Sequence, residues 1–281
     1  MRKIRGLAAA IVLLALMAGF FYWQNCTLQI EQKELYFASL PAQFDGLRVA
    51  ELSDLHGRSF GKNNARLLRA LKRAAPDIIC ICGDLFDEKT DCSMLKPLLT
   101  GLTEIAPVYY VTGNHEWQVA GLREILRQMR AWGVTVLENE GCLLFRGEAR
   151  MVIAGVHDPC GPYDMKSPAE LVSDLRRTQG DSFLLMLSHR NDELSMWSAL
   201  GVDLVLSGHC HGGVVRLPFV GGVFGTRREL FPDYDAGVYR QGGTTLFVSR
   251  GLGYTNVHFR LFNRPHVPIM VLRSGKNVNK S

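Results

Sequence analysis

The stretch Leu206-Ser207-Gly208-His209-Cys210-His211-Gly212-Gly213 places two histidines, one residue apart, in a glycine-rich turn. It follows the apolar run 202–206, which is typical of a buried strand. In an extended backbone, side chains two residues apart lie on the same side, and glycine allows other groups to approach closely. The stretch therefore predicts two imidazole nitrogens pointing into one small space at the end of a strand. On its own it fits either a metal site or a polar turn with incidental histidines.

The composition of the whole chain is that of a folded protein. Its 281 residues suffice for one large domain or two small ones, and 47% of them are hydrophobic against 21% charged. The net charge of +5 is compatible with an anionic substrate or a membrane surface, but no long basic run indicates a nucleic-acid partner. The seven cysteines are scattered and contain no CxxC pair, which argues against a zinc finger or a disulfide framework.

The N-terminal segment 1–25 is predicted to be a membrane anchor or uncleaved signal. The alternative is a signal peptide that is removed. Basic residues precede the apolar run 7–23, which ends in an aromatic cluster typical of a membrane interface. A small-x-small cleavage pattern is poorly developed after this run. Because positive residues before a span keep that end in the cytoplasm, we expect a single-pass protein of the cell membrane with residues 26–281 outside the cytoplasm.

Five apolar runs that are predicted as strands each end in a polar cluster. The clusters lie at 53–57, 83–87, 112–116, 188–189 and 207–213. Helical patterns lie between strands at 63–74, 93–103 and 119–132, and a capping pattern at Ser167 begins another helix. Closely spaced strands at 134–137, 141–146 and 151–156 are expected to be antiparallel neighbours. This pattern predicts an α/β fold with two facing sheets and helices outside.

The polar clusters share side chains that suit divalent metal ions. Five of the eight histidines fall in them, with two aspartates and an asparagine: His56, His115, His189, His209, His211, Asp54, Asp84 and Asn114. Carboxylate, amide and imidazole donors suit Mn, Fe, Zn or Co, and ligands in open α/β sheets bind beyond the carboxyl ends of strands. Any one of these residues could merely serve a turn. Together, they predict a metal centre assembled from distant segments.

The same clusters resemble the motifs of the calcineurin-like metallophosphoesterases. The matching motifs, which occur in the family's order within residues 47–272, are Asp54-x-His56, Gly83-Asp84, Gly113-Asn114-His115-Glu116, His189 and Gly208-His209-x-His211. The apolar N-terminus and the Gly-Gly after His211 are similar to the membrane-associated, YkuE-like branch of that family. The resemblance implies a four-layer α/β/β/α sandwich of two facing mixed sheets, with residues 26–281 as a metallophosphoesterase domain.

The resemblance also implies two divalent ions, whose identity among Mn, Fe, Zn and Co is open, although manganese is a candidate. One ion would be held by Asp54, His56 and His211. The other would be held by Asn114, His189 and His209. Asp84 would bridge the two ions. A hydroxide activated by the metals would attack phosphorus. His115 would protonate the leaving oxygen or stabilise charge in the transition state.

Other roles are less specific. Glu116 is a candidate for orienting a neighbouring imidazole, and Arg58 and Arg250 are candidates for contacting the substrate phosphate. The chain departs from the family at Cys210, where threonine is common, and at Arg190-Asn191, where a proline-containing turn is common. These departures put the substrate pocket, not the metal ligands, in question.

Two classes of function stay open. The first is a hydrolase of phosphoester bonds at the membrane, acting on a monoester, a phosphodiester of the cell envelope or a lipid-linked pyrophosphate. The second is a non-catalytic scaffold of the same fold that binds a partner protein. Such a scaffold is expected to lose metal ligands, and this sequence has lost none of those implied.

Overall fold

Two six-stranded mixed sheets face each other across an apolar core, and helices cover the outer face of each. The computed structural model describes residues 2–162, 165–226, 228–255 and 257–275. The layers run helix, sheet, sheet, helix. The predicted four-layer α/β/β/α sandwich is therefore confirmed.

Six α-helices and fourteen strands are described in these ranges. The helices are α1 (Arg2–Cys26), α2 (Ala65–Ala74), α3 (Leu95–Thr103), α4 (Leu122–Ala131), α5 (Pro168–Gln179) and α6 (Leu194–Ala199). The strands are β1 (Gln29–Phe37), β2 (Arg48–Leu52), β3 (Ile78–Cys82), β4 (Val108–Val111), β5 (Val134–Val136), β6 (Glu140–Arg146), β7 (Ala149–Gly155), β8 (Leu184–Leu187), β9 (Leu204–Ser207), β10 (Arg216–Leu217), β11 (Gly221–Gly222), β12 (Gly237–Gln241), β13 (Thr244–Val248) and β14 (His266–Ser274).

Most strands of each sheet run parallel. The first sheet has the order β1-β14-β2-β3-β4-β5, with β2 to β5 parallel. The second has the order β12-β13-β9-β8-β7-β6, with β13, β9, β8 and β7 parallel. The carboxyl ends of parallel strands meet at one edge of a sheet, which is why the polar clusters converge.

One predicted pairing is wrong. The strand at 134–136 does not lie beside the strands that follow it, because β5 pairs in parallel with β4 in the first sheet. Only β6 and β7 form the expected antiparallel pair. Spacing along the chain cannot distinguish a hairpin from a crossing to the other sheet when both connections are short.

Three apolar cores hold the layers together. The core between the sheets includes Ile153 and Leu206, both fully buried. The outer cores pack α2 to α4 on the first sheet and α5 with α6 on the second. Because both faces of the central strands are covered, the strands are continuous apolar runs instead of alternating ones. The predicted capping box at Ser167 starts α5.

Helix α1 lies outside these layers. Its span Lys3–Cys26 has a mean hydropathy of 2.2, with none of its most apolar window buried against the described domain. It is long and apolar enough to cross a membrane. Only its last turns contact the domain, where Gln24 is buried and Asn25 exchanges hydrogen bonds with the backbone of Arg260.

Removing a buried ring between the sheets is expected to destabilise the protein far more than removing an exposed one. The Phe183 ring is 1% exposed and lies 5.1 Å from the Phe37 ring. Phe183→Ala leaves a cavity and should lower the free energy of unfolding by about 3–5 kcal/mol. Phe145→Ala, at a ring that is 62% exposed near the end of β6, should change it by less than ~0.5 kcal/mol. Denaturant unfolding in detergent measures both, and equal effects would contradict the assignment of the core.

Candidate metal centre

The carboxyl ends of five strands bring the predicted donor residues to one place. Asp54 and His56 follow β2, Asp84 follows β3, Asn114 and His115 follow β4, His189 follows β8, and His209 and His211 follow β9. The neighbouring parallel strands β2, β3 and β4 of the first sheet position the residues from Asp54 to His115. Strands β8 and β9 of the facing sheet position His189, His209 and His211. The site therefore lies where the two sheets meet.

A first group of donors consists of Asp54, His56 and His211, whose ligand atoms lie within 4.8 Å of one another. The Nε2 atoms of the two imidazoles are 3.2 Å apart, and their rings stack at 18°. Asp54 Oδ1 lies 3.7 Å from His211 Nε2. The three donors come from two different segments, so the group exists only in the folded chain.

A second group consists of Asp84, His189 and His209. His189 Nε2 lies 3.2 Å from Asp84 Oδ2 and 3.1 Å from His209 Nδ1. Asp84 Oδ2 is also 3.7 Å from His56 Nε2 of the first group. The Asp84 carboxylate therefore lies between the two groups, in the position expected of a bridging ligand.

This donor set fits a pair of divalent cations. The Nε2 atoms of His56 and His211 are 3.2 Å apart, and His189 Nε2 is 3.1 Å from His209 Nδ1, so ring nitrogens converge in both groups. Asp54 Oδ2 and Asn114 Oδ1 are buried and have no hydrogen-bond partner among the described residues. Buried oxygen atoms that have no donor within the protein can be satisfied by a cation. The mixture of carboxylate, amide and imidazole suits Mn, Fe, Zn or Co.

The backbone at these residues is mostly left-handed. Positive φ angles occur at Asp54 (50°), His56 (48°), Asp84 (49°), His209 (65°) and His211 (50°). Aspartate and histidine enter this region more readily than most residues, but it is still costly and tends to occur at functional sites. The strain lets side chains of one short turn point in directions that an extended strand would not allow.

The His209-Cys210-His211 turn shows the consequence. The expectation of an extended backbone, with both imidazoles on one side, is wrong, because a left-handed residue stands on each side of a helical Cys210. His209 lies with Asp84 and His189, whereas His211 lies with Asp54 and His56. Cys210 is 1% exposed and belongs to the outer core of the second sheet.

Two glycines leave room for the carboxylates. A Cβ at Gly113 would lie 2.3 Å from Asp84 Oδ1, and one at Gly208 would lie 2.5 Å from Asp54 Oδ2. Neither carboxylate can move away without leaving its donor group. Glycine is needed at both positions for close approach rather than for an unusual turn.

Glu116 has a different role from the one expected. It does not orient an imidazole; its buried carboxylate accepts backbone N–H bonds from Asp84 (3.0 Å), Leu85 (2.7 Å) and Gly113 (2.8 Å). It thereby ties the end of β3 to the end of β4. Burial and the nearby Asp84 charge raise the pKa of Glu116 to about 7. The orienting partner of His189 is instead the Cys82 carbonyl, 2.8 Å from Nδ1.

Three further polar contacts were missed from the sequence. Asp87 Oδ2 lies 3.6 Å from His56 Nδ1, and Arg190 binds Asp158 through Nε at 2.5 Å while its Nη1 lies 2.9 Å from His209 Nε2. Asp87 belongs to the polar cluster 83–87, which could have indicated it. Nothing in the sequence links Arg190 to Asp158, because 32 residues separate them.

The charges of the imidazoles differ sharply. Burial by itself would lower the pKa of His189, but the Asp84 carboxylate outweighs burial and raises it to about 10. Burial, followed by the charges of His189 and Arg190, lowers the pKa of His209 to about 3. Burial and the neighbouring His56 hold the pKa of His211 well below its usual range. Before a cation binds, the site therefore holds a positive charge beside Asp84.

His115 stands at the open side of the centre. Its side chain is 34% exposed, its ring centroid lies 4.9 Å from that of His56, and its Nδ1 is 3.9 Å from Glu88 Oε2. Its backbone N–H donates to Asp84 Oδ1 at 3.0 Å. These contacts hold the ring beside the donor groups and leave it accessible from the cavity.

The centre opens into a cavity of about 930 Å³, which His56, His115 and His209 line. Arg58 also lines it, but its guanidinium donates to the Leu252 and Asn25 carbonyls and lies over the Tyr254 ring. Arg250 is not among the described residues that line this cavity; its Nη2 lies 3.6 Å from Glu31. Contact of either arginine with substrate stays a prediction.

Comparison with known proteins agrees with the motifs. Residues 47–213 match the family described as calcineurin-like phosphoesterase. The chain is 28% identical to the metallophosphoesterase YkuE of Bacillus subtilis (strain 168), covering 96% of both chains. It is also 28% identical to the phosphodiesterase YaeI of Escherichia coli (strain K12), over 95% of this chain and 98% of that one.

Two other comparisons concern a longer relative and a solved structure. A transmembrane protein with metallophosphoesterase domain from Danio rerio is 26% identical over 86% of this chain and 56% of its own length. Among solved structures, TT1561 of Thermus thermophilus gives a TM-score of 0.48 at 16% identity, covering 72% of this chain and 88% of that one. With the family match spanning more than half of the chain, the protein belongs to the calcineurin-like phosphoesterase family and is a metal-dependent phosphoesterase.

Proposed function

We propose that the protein hydrolyses phosphoesters at a membrane with the help of two divalent ions. One ion is held by Asp54, His56 and His211, and the other by Asn114, His189 and His209. Asp84 bridges the two ions. The observation that carries this proposal is the Asp84 carboxylate, which lies 3.2 Å from His189 Nε2 in one group and 3.7 Å from His56 Nε2 in the other. The family typically binds two divalent metals, which supports the same arrangement.

The bound ions would polarise the phosphoryl oxygens and lower the pKa of a water molecule. The chain itself supplies the geometry. Backbone N–H bonds to Glu116 hold the ends of β3 and β4, and therefore Asp84 and Asn114, in place. Uncharged His209 and His211 present lone pairs, because burial suppresses their protonation.

His115 is proposed as the group that moves a proton. Its ring is partly exposed in the cavity and next to both donor groups, so it can reach an oxygen leaving phosphorus. A histidine in this position would donate a proton to the leaving oxygen or stabilise its charge.

A phosphodiester is the substrate type that the site supports best. A cavity of about 930 Å³ has room for organic groups on both sides of a phosphate. The phosphodiesterase YaeI, similar over nearly the whole chain, supports the same choice. A non-catalytic scaffold is disfavoured because each of the seven donor positions keeps a residue that can bind a metal.

The membrane is proposed as the place of action. Helix α1 has the length and hydropathy of a span, and a similar protein from Danio rerio is a transmembrane protein. The basic residues before the apolar run favour a topology with the catalytic domain outside the cytoplasm.

Asp84→Asn should remove nearly all activity. The neutral amide cannot carry the negative charge that both donor groups share. With Mn²⁺, kcat/KM on a chromogenic phosphodiester should therefore fall more than about 100-fold. Loss of a residue that only hydrogen-bonds to a metal ligand usually has a smaller effect. Asp181→Asn is the matched control, since Asp181 is exposed and precedes β8 at the opposite edge of the sheet. Full activity of Asp84→Asn would contradict the proposed centre.

His115→Ala should slow the reaction without removing the metals. We expect kcat to fall by about 10²–10⁴-fold, the usual contribution of a positioned acid, while the metal content measured by mass spectrometry stays the same. His258→Ala changes another histidine of the same cavity, one stacked on Tyr254, and should leave kcat on the soluble ester unchanged. Loss of metal from His115→Ala would make it a ligand instead.

Metal binding should release protons. With its pKa raised to about 10, metal-free His189 carries a proton at pH 8, and that proton must leave before the nitrogen can bind a cation. Affinity for Mn²⁺ should therefore fall as pH falls from 9 to 7, by about tenfold per pH unit for each proton released. Calorimetry in two buffers of different ionisation enthalpy counts the protons. Binding without proton release, and with no change in affinity over this range, would contradict the charge assigned to His189.

A further inference from the structure

Large apolar side chains are exposed on the two loop regions 214–231 and 254–262, which also supply lining residues of the catalytic cavity. They include Phe219, Val220, Leu230, Phe231, Val257 and Phe262, each 49% exposed or more. We call these six residues the apolar rim. A soluble surface rarely collects so many large apolar side chains, and such a patch marks a surface that contacts something apolar.

The tip of the β10–β11 hairpin is the most exposed part of the rim. Phe219 stands there with its ring fully exposed and a φ of 67°, beside Val220 at 59% exposure. Tight hairpin tips in water favour glycine or asparagine, which tolerate this backbone conformation. A bulky aromatic residue at this position is unfavourable in water for both its backbone and its ring. An apolar environment at the tip removes the cost of exposing the ring to water.

The rim is connected to the catalytic cavity by the backbone. Val215 pairs with Leu261, and the Phe231 N–H donates to the Val223 carbonyl at 3.0 Å. Val257 of the rim is itself a lining residue of the cavity. The loops that carry the rim are therefore the same loops that form the cavity wall.

The rim also lies against the end of α1. The Phe262 ring is 5.8 Å from the Phe20 ring, and the Phe259 ring is 5.7 Å from the Phe21 ring. Tyrosine and tryptophan at the end of a span lie at the level of the lipid headgroups, and Tyr22 and Trp23 directly follow Phe20 and Phe21 in α1. If Phe20 and Phe21 lie at that level, Phe262 lies there too.

We propose that the apolar rim enters the interfacial layer of the same bilayer that α1 crosses, so that the cavity opens onto the headgroups and accepts a phosphoester carried by a membrane lipid. The inference rests on the proposed phosphoesterase function and on anchoring by α1.

Photocrosslinking tests the contact without depending on activity. The full chain, with p-benzoylphenylalanine in place of Phe219 or Phe231, is reconstituted in vesicles of phosphatidylcholine and phosphatidylglycerol that contain a radiolabelled lipid. Phe145 is the matched control position, an exposed ring near the far end of β6. We expect lipid adducts at the two rim positions and not at position 145. Rim positions that give no lipid adduct, or that crosslink to a second copy of the chain, would overturn the proposal.

Kinetics test the consequence for substrate. Phe219→Ser and Phe231→Ser change residues outside the cavity lining, so hydrolysis of soluble bis(p-nitrophenyl) phosphate should be unchanged and shows that the site is intact. On a p-nitrophenyl phosphodiester of a dialkylglycerol embedded in the same vesicles, the double variant should be at least about tenfold slower, because two apolar anchors are lost. Equal rates of the double variant and the unchanged protein on the embedded ester would overturn the lipid-substrate assignment. Hydrolysis of neither ester by the unchanged protein would instead refute the proposed function, while the crosslinks still report on the rim.

Discussion

A buried carboxylate shared between two groups of imidazoles is the constraint on which the site depends. Asp84 Oδ2 lies 3.2 Å from His189 Nε2 and 3.7 Å from His56 Nε2, and Oδ1 accepts the His115 N–H. A charge taken out of water must be compensated. The protonated His189 compensates it before metal binds, and divalent cations would take over that role. The Asp84 carboxylate and the imidazoles around it therefore affect both the stability of the fold and the binding of metal.

The two-sheet fold holds these atoms together from both sides. The Glu116 carboxylate joins the ends of β3 and β4 through backbone N–H groups, and the Cys82 carbonyl at the end of β3 contacts His189, which follows β8 of the other sheet. The left-handed residues Asp54, Asp84 and His211 are costly by themselves. They persist because each follows closely on a strand whose residues are buried, with the single exception of Arg48 at the start of β2. The strained backbone at the site therefore depends on the rigid core beside it.

The same loops connect the chemistry to the entry of substrate in our proposal. The loop that carries the lining residues Val257 and His258 contacts the aromatic end of α1 through Phe259 and Phe262. Arg58, another lining residue, donates to the Asn25 carbonyl. The helix is therefore more than a tether in this arrangement, since its last turns help to fix the cavity wall. An anchor joined by a flexible linker would leave the direction of the cavity undefined.

Much of the fold and the site could be predicted from the sequence, because strand identity and donor type are local properties. Apolar runs ending in Asp, Asn or His indicated the strands and the metal-binding chemistry, and their order indicated the family. Local pattern could not assign β5 to its sheet, since either sheet buries an apolar strand equally well.

The sequence by itself thus determined the family and the set of candidate donor residues, and it showed that an apolar helix precedes them. Only the tertiary structure decided how they are grouped. His209 and His211, one residue apart in sequence, lie in different donor groups because left-handed backbone on each side of Cys210 turns them toward different strands. Glu116 binds backbone N–H groups, and Arg190 meets Asp158, because strands distant in sequence end side by side. Contacts of this kind depend on distances in space, which sequence spacing does not encode.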